Sequence, residues 1–106
     1  MNNLTKIYTV DEISQILSPI FERSGIIKAV LFGSYAKGDA DINSDIDIIV
    51  EVEDWVDDLD FCGISVDASD SLGKEVDFLD WSELVPNSAS EKEIRNAGRV
   101  IYEKVR

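Results

Sequence analysis

The chain has 106 residues, 44% hydrophobic and 30% charged with only two prolines, which is enough apolar material for one packed core and too little length for a second. Ten Lys and Arg against 22 Asp and Glu leave a net charge of −12, which argues against direct nucleic-acid binding because that affinity rests on cations that neutralise phosphates. Histidine is absent and Cys62 is the single cysteine, so Ser-His-Asp and Cys-His hydrolysis, His- or Cys-cluster zinc sites and an internal disulfide are excluded. With neither a charged-then-apolar leader nor a ~20-residue apolar run, the expected address is the cytoplasm, with no membrane contact.

In chain order, Thr9 and Glu12 stand in capping-box spacing ahead of Ile13, Ile16, Leu17, Ile20 and Phe21, so the spacing predicts an amphipathic helix over Thr9–Ser24. Pro19 should kink that helix or end its regular part, and Gly25 suits a left-handed turn after it. Residues 26–32, Ile-Ile-Lys-Ala-Val-Leu-Phe, read as a buried strand stopped by Gly33-Ser34. A helical turn is expected over Tyr35–Gly38 and polar turns over Asp39–Ser44. A second strand follows over residues 45–52, in which acids and apolar residues alternate at first, so that Asp45 and Asp47 share one face and Ile46 and Ile48 the other. Phe61, Ile64 or Ser65, Ala68 and Leu72 fit one helical stripe within residues 55–72, closed by Gly73. Residues 75–79 read as a third strand, Ser90–Ala97 as a short helix and residues 100–102 as an extended tail. Trp55, Trp81 and Tyr102 are expected in the core or against a partner.

Charge is concentrated: residues 39–60 hold ten acids and no Lys or Arg. For Asp54, Asp57 and Asp58 a solvated loop and a helix start suffice as an explanation. Asp45 and Asp47 are different. They lie at or inside a strand pattern, where acids are depleted and where like charges repel unless a cation sits between them. Asp77, in the apolar strand Val76-Asp77-Phe78, is costly for the same reason. A Gly-Ser turn at the carboxyl end of a buried strand lets backbone amides and a small hydroxyl approach a phosphate. Two same-face carboxylates on the next strand are hard oxygen ligands suited to Mg²⁺, with Asp77 as the third. Such a set can clamp a phosphoryl or nucleotidyl displacement and accept the proton of an attacking hydroxyl.

The segments Leu31-Phe32-Gly33-Ser34-Tyr35-Ala36-Lys37-Gly38 and Asn43-Ser44-Asp45-Ile46-Asp47-Ile48-Ile49-Val50 resemble the signature of the DNA polymerase β-type nucleotidyltransferases. More narrowly, the chain resembles the minimal nucleotidyltransferase (MNT) family, in the form of the antitoxins that pair with HEPN-domain toxins. The similarity runs from the Pro-bearing first helix through Asp77 to Gly98-Arg99-Val100-Ile101-Tyr102-Glu103. It implies a single α/β (α+β) domain over residues 1–106, with a small mixed or antiparallel sheet flanked by helices and the three acids on one face. It also implies that Asp45, Asp47 and Asp77 bind Mg²⁺, or Mn²⁺ in its place, and carry the catalysis. Gly33 and Ser34 would hold the triphosphate of ATP. Lys37 stands where relatives often have Arg and would touch phosphate without Arg's bidentate fork. Tyr35 would stack on a base or pack on the first helix.

The activity implied is transfer of AMP from ATP to a protein hydroxyl, expected to be a tyrosine of a HEPN ribonuclease toxin in a hetero-oligomer. The acidic surface suits a basic, RNA-cleaving partner. Two other readings stand beside it: an antitoxin that inhibits by stoichiometric binding alone, and a nucleotidyltransferase acting on an aminoglycoside-type small molecule.

Overall fold

A computed structural model describes residues 6–105. The first helix, α1 (Val10–Glu22), begins where its cap dictates: the Glu12 amide donates to the Thr9 hydroxyl at 3.1 Å, and the Thr9 amide donates back to the Glu12 carboxylate at 2.9 Å. Ile13, Leu17, Ile20 and Phe21 are buried along one stripe. Pro19 does not end the helix. It lacks only the donor for one carbonyl near the last turn, and the burial of Ile20 and Phe21 beside it holds that turn in place. Gly25 takes the left-handed conformation expected of it (φ 76°), and a side chain there would run into the Trp55 ring.

The strand β1 (Ile26–Phe32) leads directly into α2 (Gly33–Lys37), which starts two residues earlier than the helical turn expected over Tyr35–Gly38. After a loop come β2 (Ile46–Val52), α3 (Asp58–Leu72) and β3 (Val76–Asp80), then a 3₁₀ turn (Trp81–Glu83), α4 (Ala89–Ala97) and β4 (Arg99–Glu103). Asp57 and Asp60 form a second capping box that opens α3 and Gly73 closes it, so this part of the acidic run serves a helix start. Asp45 falls just ahead of β2 and Asp47 within it.

The sheet order is β3-β2-β1-β4. β1 runs antiparallel to β2 and β4, whereas β2 and β3 are parallel, as the helical crossover α3 between them requires. Alternation along the strands gives the sheet two unlike faces. Ala29, Leu31, Ile46, Ile48, Val50 and Ile101 pack with α1 and α3 in the main core. Val30, Phe32 and Ile49 face the other way and form a smaller apolar cluster with Ile94 of α4 and Leu84. Asp47 and Asp77 belong to this thinner side, in register with each other and two residues before Ile49 and Leu79.

Tyr102 packs on the core, its ring 5.7 Å from that of Phe21 in an edge-on arrangement. The two tryptophans are not core residues: Trp55 is 62% exposed and Trp81 40%. The packing predicts that Ile48→Ala, at a fully buried position in the centre of the sheet, lowers unfolding free energy by about 2–5 kcal/mol. Leu59→Ala, on the exposed side of α3, should change it by less than about 0.5 kcal/mol; urea titration of both variants checks the contrast.

Candidate active site

Strand register builds the site. Phe32, the last residue of β1, pairs with Asp47, and Asp47 pairs with Asp77 on its other side. Gly33 therefore crosses directly over the Asp47 carboxylate. Its φ of 73° lies in the left-handed region, and a Cβ added there would collide with Asp47 Oδ2. Glycine is required at this position twice over, by conformation and by the approach of the acid. Ser34 follows in the first turn of α2, half-buried beside the same strands.

Electrostatics mark Asp47 as strained. Burial pushes its carboxyl up to about 6 from an ordinary 3.8, helped by the neighbouring Asp77, which lies within hydrogen-bonding reach, and by the charges of Asp45 and Glu93. Asp45 sits at the lip of β2 and acts through its charge alone. None of the three acids takes part in an ion pair among the described residues. No three acids there are close enough as they stand to enclose an ion. The donor set nevertheless fits a hard divalent cation: two carboxylates meet without a counter-charge, a third adds its charge from the lip of the strand, and an ion of charge +2 would offset both the burial and the like-charge repulsion that raise the Asp47 pKa.

Lys37 ends α2 with its ammonium 2.6 Å from Glu93 of α4, and this carboxylate holds the Lys37 proton more tightly than usual. Glu93 is the site neighbour that sequence reasoning missed. The only local signal is its place beside Ile94, the buried residue of α4; the pairing with Lys37 spans 56 positions and has no trace in spacing. Tyr35 packs into the main core, 4% exposed, which excludes stacking on a base. Its hydroxyl is buried without a hydrogen-bond partner, and burial raises its pKa.

The raised carboxyl gives a pH signature with a definite sign. Between about pH 4 and 6 folded Asp47 keeps a proton that the unfolded chain releases, so stability falls as pH rises through that window and stays reduced above it. In EDTA, Asp47→Asn should melt at a higher temperature than the parent at pH 7.5. The difference should vanish below pH 4, where both carry a neutral group; thermal melts across this range check it.

Residues 13–106 match the family "Polymerase beta, Nucleotidyltransferase". Two relatives are similar over most of their length. MJ0435 of Methanocaldococcus jannaschii, provisionally named a protein adenylyltransferase, is 36% identical over 77 residues, 73% of this chain and 83% of its own. The protein adenylyltransferase MntA of Thermococcus cleftensis is 35% identical over 80 residues, 72% of this chain and 81% of its own. Among solved structures, a toxin–antitoxin complex crystallised with AMP-PNP superposes with a TM-score of 0.72 at 22% identity, covering 86% of this chain and 73% of the other. A complex of tri-AMPylated Shewanella oneidensis HEPN toxin with its MNT antitoxin gives 0.67 at 17%, covering 91% and 74%. The Gly33-Ser34 turn set against paired aspartates of adjoining strands thus lies on a shared fold, and the chain belongs to the polymerase β-type nucleotidyltransferase family.

Proposed function

We propose that this chain is a protein adenylyltransferase that moves AMP from ATP to a hydroxyl, expected on a tyrosine, of a HEPN-domain toxin and thereby acts as that toxin's antitoxin in the cytoplasm. The observation that carries the reading is the in-register approach of Asp47 and Asp77 beneath Gly33. Related chains named protein adenylyltransferases, and the likeness to an MNT antitoxin bound to an AMPylated HEPN toxin, support the acceptor class. The chain's own tyrosines support acceptance in trans, because Tyr8 and Tyr35 are buried and Tyr102 packs on the core.

Asp45, Asp47 and Asp77 would hold Mg²⁺, or Mn²⁺ in its place, which supplies charge neutralisation for the triphosphate and for departing pyrophosphate. Gly33, with no side chain, lets the backbone approach the phosphates, and the Ser34 hydroxyl donates to them. Lys37 adds a point charge at the end of the same short helix. The acceptor oxygen attacks the α-phosphorus in line while its proton passes to Asp77. The bond from the α-phosphorus to the bridging oxygen then breaks, and pyrophosphate carries away that electron pair.

Stoichiometric binding is the second reading, and a specific observation favours some part for it. Leu79, Trp81, Val85 and Val100 are exposed in and after the strands of the thin side of the sheet, a composition suited to protein contact.

Incubating the chain with ATP, Mg²⁺ and a cognate HEPN-domain toxin should raise the toxin's mass by whole AMP residues. Asp45→Ala or Asp47→Ala should slow this by at least ~10²-fold while leaving complex formation intact. Neutralisation without nucleotide, with unchanged toxin mass and equal potency in the Asp47→Ala variant, would leave binding as the whole function.

A further inference from the structure

The ion pair between Lys37 and Glu93 joins the phosphate side of the site to a helix with no assigned role. Resting on the nucleotidyltransferase reading above, we propose that Glu93 is a displaceable stand-in for nucleotide phosphate: it holds Lys37 through the same contact that a triphosphate oxygen would take, so that α4 and ATP compete for α2.

Three features favour competition over simple orientation of the lysine. The pair is wet, with 44% of the Lys37 and 31% of the Glu93 side chain exposed, and ion pairs of this kind contribute little and exchange readily. Lysine suits such an exchange, since its ammonium is a point charge on a flexible stem and not a fork fixed to one partner. Glu93 also adds its charge to the cleft it borders, because its field reaches Asp47. A carboxylate in that place repels an arriving triphosphate in addition to occupying its cation.

The rest of α4 confines this role to Glu93. Glu91 is already engaged, accepting from the Asn87 amide and from Arg95 on the helix's own surface. Ile94 is buried against the sheet, and Gly98 lets the chain turn into β4 where a side chain would strike the Ile94 carbonyl and Val30. Glu93 is thus carried by an anchored helix. When Lys37 changes partner the carboxylate stays behind, and the side-chain link between α2 and α4 opens.

Calorimetric titration with AMP-PNP in Mg²⁺ tests this on the parent, Glu93→Gln, Lys37→Met and the double variant, with thermal melts confirming that each is folded. Glu93→Gln should bind the nucleotide about two- to fivefold more tightly, and the same change made in the Lys37→Met background should gain clearly less, because only the direct repulsion of the triphosphate by Glu93 is then left to relieve. Glu93→Asp, which keeps the charge, should bind more like the parent than like Glu93→Gln. Equal or weaker binding by Glu93→Gln would overturn the proposal. An undiminished gain in the Lys37→Met background would overturn it too, because Glu93 would then act by its field on the aspartates and not through Lys37. Nucleotide bound by the parent with a Kd indifferent to Glu93 defeats this inference alone, whereas no binding by any variant defeats the nucleotidyltransferase reading with it.

Discussion

Parallel pairing of β2 and β3 sets Asp47 beside Asp77, and the end of β1 lays Gly33 across the same carboxylate. Two like charges brought together on a partly buried strand are a cost that a fold selected for stability alone would not retain. The surroundings show how the cost is contained. Helix α3 provides the crossover that makes the pairing parallel, glycine removes the side chain that would crowd the acid, and Asp47 retains a proton to a pH near 6. A cation of high charge density would relieve all of this at once. The strain of the bare cluster and its capacity to hold a metal therefore have the same origin.

The two faces of the sheet divide the work. One buries the large core formed by α1, α3 and alternate strand residues, and carries most of the apolar burial. The other carries the smaller apolar cluster of Ile94, Leu84 and a few strand residues, leaving room for acids, a short phosphate-side helix and exposed apolar residues along β3, β4 and the segments after β3. Polar chemistry is affordable on this side because stability is secured on the other.

Much of this was legible in the chain. The strands at 26–32 and 45–52, the capped first helix and the stripe Ile64, Ala68, Leu72 follow from local periodicity, and local periodicity is what the backbone obeys. The acids betrayed themselves as charges in strand patterns, and their shared face followed from alternation. Of the two outcomes expected at Pro19, an end to the helix does not occur, because tertiary burial of its neighbours outweighs one lost hydrogen bond. Of the two places read for the tryptophans, the core is excluded and a partner contact is left, since size and hydrophobicity do not say which side of a turn a ring takes. Glu93 was illegible for a different reason: an ion pair across 56 positions depends on where α4 lands on the sheet, and no spacing encodes that.

The central claim is that Asp47 and Asp77 are held together as one half of a cation site. Carbon-detected NMR titration of the side-chain carboxyls, with and without Mg²⁺, measures it directly. The account predicts that Asp47 titrates near pH 6 in metal-free buffer and well below pH 4 once Mg²⁺ is bound. Titration of Asp47 as an ordinary exposed carboxylate, unmoved by saturating Mg²⁺, would contradict it.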